Sequence, residues 1–387
     1  MKSVSGGQRK PRVLVLVENV PLGTDNRIKK QARTLLASGF DVTVICRRHP
    51  RNKTCVPGVH VVQYPSPPEG KGLLAFVVEY GYSVAMAAGL TLWSLARGGF
   101  DVLQVASTPD IYFLVAAPCR WLGRPVVFDF RDPSPETYEA RYGRRDSAIY
   151  RALLLLERWS FQMADRALVV NESLRTMART RGRVDDAHIV LVGNGPEDKR
   201  ITRRPVRSDL RPARRYLGCW IGAIGPQDHV DLALRAIAYL VYELKRTDCA
   251  FAFVGAGEAL PAIQKLAEEL VFDYLSTADI GIEPNTEDYV SGVKVMEYQA
   301  AGLPIIAFDA EETMNLAGDS ARYAPKGDVA AMARLIDELL DDPTAREEMG
   351  NIGQRRVKEF TAWELQAGRY VSAIRELIDG EEAGEHV

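Results

Sequence analysis

The sequence predicts an α/β protein made of two doubly wound, parallel-sheet domains. Three observations point there. Short apolar, β-branched runs alternate with amphipathic stretches, the alternation starts afresh near residue 216, and 387 residues are too many for one ordinary domain. Nearly continuous apolar strands separated by helices imply sheets covered on both faces.

In the first half the strands fall at Val13–Val17, Val42–Ile45, Val61–Tyr64, Val102–Val105, Val126–Phe130, Ala167–Val170 and Ile189–Val192. Helical periodicity occupies Ile28–Ser38, Leu73–Ala96, Ile111–Trp121, Ala148–Met163 and Glu172–Arg181. Leu73–Ala96 is long enough to cross a bilayer and carries one charge, Glu79. Its tyrosines, tryptophan and glycines favour a buried or membrane-facing surface helix over a span.

Lys199–Arg215 holds eight basic residues against Asp209 alone, a composition that predicts a solvated, self-repelling linker. The second half follows with strands at Trp220–Ile224, Ala250–Val254, Ile280–Ile282 and Pro304–Phe308. Helices fall at Val230–Leu244, Ala259–Leu270, Val293–Ala301 and Val329–Leu340. Asp342-Pro343 opens a further helix, Thr361 caps one from Ala362 to about Ile378, and the last seven residues read as a frayed tail. The predicted division is residues 1–200, 201–361 and a returning C-terminal helix over 362–387.

Lys plus Arg number 49 and Asp plus Glu 51, a net charge of −2, so no global field gathers nucleic acid or anionic membrane. Five scattered cysteines without a Cys-x-x-Cys pair speak against a disulfide framework or zinc site. With no apolar leader in the first ten residues, the expectation is a cytoplasmic protein, with peripheral contact to the inner face of the plasma membrane left open.

In doubly wound sheets ligands meet the loops beyond the carboxyl ends of the strands. After the first strand come Gly23, Asp25 and Arg27; Gly23 permits close approach, and Asp25 is either a ligand or a helix N-cap. At Asp129–Glu136 charged side chains crowd one strand end. There Arg131 and Asp132 either orient a substrate hydroxyl or phosphate or form a local ion pair. Gly255 and Gly257 form a strand-to-helix turn. Most informative is Ser291-Gly292-Val293-Lys294-Val295-Met296-Glu297. Its amides at a helix N-terminus suit a diphosphate. Lys294 and Glu297, three residues apart, share a face on which a cation can meet phosphate and a carboxylate can take two ribose hydroxyls. The other reading of that pair is a solvent-exposed Lys–Glu contact.

These strings resemble family 4 glycosyltransferases of the GT-B fold, in which a Lys-x-x-Glu helix is followed by a Gly-x-Pro-Ile-like strand, here Gly302-Leu303-Pro304-Ile305. Asp25 with Arg27, Arg131-Asp132 with Pro135-Glu136, Gly222–Asp228, the Gly255-Ala256-Gly257 turn and Trp363 recur in the same order. The likeness is strongest to the bacterial exopolysaccharide and O-antigen branch. It implies two Rossmann-like domains facing a cleft and a retaining, metal-independent transfer from a nucleoside-diphosphate sugar, UDP first. It implies a lipid-linked or cell-surface glycan acceptor and no cofactor beyond the sugar nucleotide.

Carried over residue by residue, the resemblance places the donor on Gly225, Gly255, Gly257, Ser291, Gly292, Val293, Lys294 and Glu297. It places the acceptor on Gly23, Asp25, Arg27 and Arg131, and the chemistry on Arg131, Asp132, Asp288, Lys294 and Glu297. The sequence also departs from the pattern. Tyr289 stands where an acidic residue is common, with Asp288 beside it. Ala223 and Asp228 occupy the places of a phosphate-clamping Arg and Lys, and His229 that of a glycine. At Leu270–Val271 the chain is shorter than its relatives: either the deletion is real and a base-reading strand is lost with it, or residues are left out of the sequence and base recognition is unaffected. A nucleotide-sugar 2-epimerase of the same fold and a non-catalytic binding subunit are the other readings.

Overall fold

The computed structural model describes residues 9–18, 20–67, 73–107, 110–223, 228–256, 271–290 and 292–384. The chain divides into two units, Met1–Val192 with Ala367–Val387, and Gly193–Gln366.

Among the described residues the first unit holds a seven-stranded parallel sheet: β1 (Arg12–Leu16), β2 (Asp41–Arg47), β3 (His60–Tyr64), β4 (Val102–Ala106), β5 (Val126–Phe130), β6 (Arg166–Val169) and β7 (Ile189–Leu191), in the order β3-β2-β1-β4-β5-β6-β7. Its helices are α1 (Asn26–Ala37), α2 (Leu73–Ala96), α3 (Phe113–Trp121), α4 (Ser134–Tyr142), α5 (Ala148–Met163) and α6 (Glu172–Thr180). In register, Val13, Val15 and Leu16 lie beside Val42, Val44 and Ile45, which is why these runs carry little polarity. Ala87 of α2 and Val115, Ala116 and Cys119 of α3 close over Leu14, Leu16 and Leu103. The strand order reverses between β1 and β4, and the loops after those strands border the place where doubly wound sheets bind ligands.

The second unit has a five-stranded parallel sheet among the described residues: β8 (Tyr216–Ala223), β9 (Cys249–Ala256), β10 (Ile280–Glu283), β11 (Ile305–Phe308) and β12 (Ala321–Ala324), ordered β12-β11-β10-β8-β9. Helices α7 (Val230–Tyr242), α8 (Val293–Ala300), α9 (Glu311–Ala317), α10 (Val329–Leu340) and α11 (Pro343–Arg356) accompany it. Ala233, Ala236 and Leu240 of α7 share one core with Ile336 and Leu339 of α10; Val295 and Tyr298 of α8 belong to another with Leu217 and Ile305. The reversal falls between β8 and β10.

The final helix, α12 (Trp363–Gly384), runs through residues 381–384, where the sequence suggested a frayed tail. From Ala367 onward it groups with the first unit. There Tyr370 is fully buried and its hydroxyl donates to Gln104 Oε1 at 2.6 Å. A π-helical turn, Val357–Thr361, rather than a Thr361 cap, precedes α12.

The basic stretch over 199–215 is not a free linker. Arg204 and Arg207 both pair with Asp273 at 3.0 Å, and Arg211 pairs with Asp279 at 3.0 Å. The amides of Arg204 and Arg207 donate to Ser276 and Thr277. Self-repulsion is offset because the segment lies along acids and hydroxyls of the helical residues 271–277 and the start of β10. The expected helix Ala259–Leu270 lies outside the described residues.

Candidate functional site

In the first unit Arg27 and Arg131, two of the predicted acceptor residues, meet at one buried carboxylate. Asp129, on β5, accepts Arg27 Nη2 at 2.7 Å, Arg131 Nε at 3.0 Å and Gln31 Nε2 at 3.0 Å. Burial alone would raise its pKa; Arg27 and Arg131 outweigh that and hold it well below the usual carboxylate range. Arg27 also donates to the Val192 carbonyl at 2.9 Å. Asp25 caps α1 by accepting the Ile28 amide at 2.9 Å, and its second oxygen takes Arg131 Nη1 at 2.7 Å.

Arg27 and Asp25 are both buried and turned onto protein partners. The close approach at Gly23 is internal too. A β-carbon there would sit 2.7 Å from Arg51 Cβ, and the Gly23 amide donates to Asn52 Oδ1 at 2.8 Å. Arg131 keeps part of its surface, and Asp132 is exposed beside it on a loop anchored by the Arg131 amide to Ser107 Oγ at 2.9 Å.

In the second unit, α8 sorts its residues by face. Val295, Met296, Tyr298, Gln299 and Ala300 are buried, while Val293, Lys294 and Glu297 are partly exposed. Tyr298 pins the helix to the sheet, donating to the Ile282 carbonyl at 3.0 Å and accepting the Ile221 amide at 3.2 Å. Gly292 begins α8 without a side-chain cap, leaving the first-turn amides to other acceptors.

Lys294 Nζ lies 2.8 Å from Asp228 Oδ1, 3.9 Å from Glu283 Oε1 and 4.8 Å from the Trp220 ring centre. This puts it at the β8/β10 reversal. A β-carbon on Gly222 would stand 2.8 Å from Lys294 Cε, so glycine makes room for the lysine. Burial raises the Glu283 carboxyl above its ordinary pKa against the pull of Lys294. Glu297 has Arg200 Nη1 3.7 Å from Oε1.

Two further expectations change. The close approach at Gly255 is to its neighbour strand, since a β-carbon would meet the Gly222 carbonyl at 2.0 Å. Asp288 takes the Glu311 amide at the start of α9 at 2.8 Å and Lys326 Nζ at 2.5 Å, so it acts as a helix anchor. Gly225, Gly257 and Ser291 lie outside the described residues. Sequence reasoning did not single out Trp220, Glu283 or the pairing of Asp228 with Lys294; a charged residue ending the apolar run Ile280–Ile282 was the available signal for Glu283.

The chain matches the family described as "Glycosyl transferase 4-like domain" over residues 23–195 and "Glycosyl transferases group 1" over residues 215–342, together more than three quarters of its length. It belongs to the GT-B glycosyltransferases. The chain is 26% identical over 204 residues to a GDP-mannose-dependent monoacylated alpha-(1-6)-phosphatidylinositol monomannoside mannosyltransferase of Corynebacterium glutamicum, covering 46% of the chain and 51% of that relative. It is 23% identical over 384 residues to a glycogen synthase of Mycobacterium tuberculosis, covering 89% of each. The chain thus spans about half the length of the mannosyltransferase it matches. In fold it is similar to sucrose-phosphate synthase from Thermosynechococcus elongatus, with a TM-score of 0.77 at 15% identity over 96% of this chain and 100% of that one. It is likewise similar to Anabaena HepE in complex with UDP and glucose, with a TM-score of 0.70 at 15% identity over 94% and 99%.

Proposed function

We propose that this glycosyltransferase moves a sugar from a nucleoside-diphosphate sugar to a hydroxyl of a lipid-linked or cell-surface glycan precursor, with retention at the anomeric carbon and without a metal. The observation that carries the proposal is the partly exposed face of α8. Lys294 and Glu297 stand one helical turn apart behind uncapped first-turn amides, beside the strand-order reversal of the second sheet.

Lys294 and the amides of Gly292 and Val293 bind the diphosphate, and Glu297 accepts the two ribose hydroxyls. The bond between the anomeric carbon and the diphosphate oxygen breaks as the acceptor oxygen bonds to that carbon from the same face. The acceptor proton passes to the departing diphosphate. Stabilising that leaving charge is the main catalytic contribution, and it falls to Lys294 and the helix dipole. On the acceptor side, Asp132 and the accessible edge of Arg131 meet the incoming hydroxyl. Gly23, Asp25, Arg27 and Asp129 hold them in place.

UDP and GDP are the nucleotides to compare first. UDP occupies the Anabaena structure, and GDP-mannose appears in the name of the Corynebacterium relative. Glu297→Ala abolishes donor turnover while the circular dichroism spectrum stays unchanged, because the side chain lies outside the core; unchanged turnover removes the ribose assignment. Turnover survives EDTA. Among the described residues no cluster of three or more His, Cys, Asp or Glu is placed to hold a metal, and loss on chelation with rescue by manganese refutes the metal-free mechanism.

A further inference from the structure

Glu283 ends β10 at the strand-order reversal of the second sheet, and it is only 3% exposed. The residues before it on β10 are apolar and buried, so the strand carries a carboxylate into a place lined by hydrocarbon. Pro284, which follows, has no N–H to offer it. Among the described residues the carboxylate's only hydrogen bond comes from the Asn285 amide, to Oε1 at 3.3 Å. Its only ion pair there is with Lys294 Nζ at 3.9 Å, beyond hydrogen-bond reach. That is thin support for a buried charge.

The groups facing Glu283 do little to improve it. Lys294 also serves Asp228, whose Oδ1 lies 2.8 Å from Nζ. The negative charge of Asp228 works against a second one on Glu283. The neighbouring His229 turns Nε2 to Thr286 Oγ1 at 3.2 Å and to Glu287 Oε1 at 3.6 Å. The Tyr298 hydroxyl, on α8, is committed to the Ile282 carbonyl at 3.0 Å.

A diphosphate bonded to Lys294 tips this balance. Since Nζ is 3.9 Å from Glu283 Oε1, a phosphate oxygen hydrogen-bonded to Nζ lies within about 7 Å of the carboxylate. At about 7 Å and an effective dielectric of about 20, each negative charge makes a carboxyl harder to ionise by about 1.7 pH units. A sugar nucleotide brings two such charges. Asp228 is 14% exposed and has solvent to turn to when the phosphate takes its place; Glu283 is enclosed and has none.

We infer that Glu283 takes up a proton from solvent when a nucleoside-diphosphate sugar binds, so that the neutral acid leaves the whole Lys294 charge to the diphosphate. The inference rests on the proposed role of Lys294 as the diphosphate ligand. Its sign follows from linkage: the bound state holds the proton more tightly than the free state, so donor affinity falls as pH rises.

Titration calorimetry of the full-length protein with UDP-glucose and with GDP-mannose tests it. Neither probe carries the phosphate monoester group that titrates near about pH 6. Compared across buffers of different ionisation enthalpy, the wild type takes up about half a proton or more per nucleotide near neutral pH. Its affinity then falls by up to about tenfold per pH unit toward alkaline pH. E283Q, uncharged throughout, binds without proton uptake and with a flat pH profile. D228N and H229N keep the uptake; asparagine suits the left-handed backbone of His229. Binding without uptake in the wild type, equal uptake in E283Q, or loss of uptake in D228N or H229N overturns the inference and leaves the donor site standing. So does an E283Q protein that has the wild-type circular dichroism spectrum and binds neither nucleotide. No binding of either probe by the wild type overturns the role of Lys294 and this inference with it. The wild-type, D228N and H229N measurements decide the matter should E283Q not fold.

Discussion

Lys294 answers two carboxylates at once, Asp228 at 2.8 Å and Glu283 at 3.9 Å. On the proposed reading a donor diphosphate competes with Asp228 for the same ammonium. Asp228→Asn removes that competition. It raises affinity for nucleoside diphosphates by several-fold, about 1 kcal/mol for a partly exposed pair, as calorimetric titration reports; weaker binding than wild type refutes the competition. Lys294→Ala loses affinity by at least as much, which separates a failed role for Asp228 from a failed donor site. At Asp129 the stake is folding. Asp129→Asn leaves the buried Arg27 and the partly buried Arg131 with one fewer charge partner, a loss of about 3–5 kcal/mol in denaturant unfolding. Because the native pKa of Asp129 is depressed, its stabilisation is present above the ordinary carboxylate value and is lost as pH falls toward the native one. Wild type should lose stability on acidification that Asp129→Asn has already lost, and parallel pH profiles for the two proteins remove the assignment.

At the scale of elements, what could be read locally was read. Helix α8 declared itself because Val295, Met296 and Tyr298 alternate with Lys294 and Glu297 at helical spacing, and the parallel strands because they are apolar on both faces. Helix α4 is not legible in the sequence because Pro133 and Pro135, at its start, carry the composition of a loop. Proline is well suited to the first helical turn, and here Pro135 sits in it with Glu136 near the N-terminal end of the dipole. Strand β12, Ala-Arg-Tyr-Ala, has no β-branched run and takes its shape from pairing with β11. The basic stretch suggested a linker because its partners, Asp273 and Asp279, are distant in sequence. Gly23, Asp25, Arg27 and Arg131 were legible as a cluster but not as a buried one, since Asp129, Gln31 and Gln104 enter only through tertiary packing.

For the whole molecule, two units with separate sheets and cores predict two unfolding transitions. A ligand that binds one unit raises that transition alone. The proposed donor residues Gly292, Val293, Lys294 and Glu297 belong to the unit Gly193–Gln366, so on that proposal UDP or GDP should raise only the transition of that unit. Tyr370 acts on the other. Its hydroxyl starts a buried chain in which Gln104 donates to Gln31 and Gln31 donates to Asp129. Tyr370→Phe strips Gln104 Oε1 of its donor and costs about 1–2 kcal/mol, lowering the first unit's transition by a few degrees. Calorimetric scans of wild type and Tyr370→Phe, each with and without nucleotide, should therefore show two independent shifts, one from the substitution and one from the ligand. A single transition that both perturbations move refutes the division into two cooperative bodies. Two transitions of which nucleotide moves only the one lowered by Tyr370→Phe place the donor in the wrong unit.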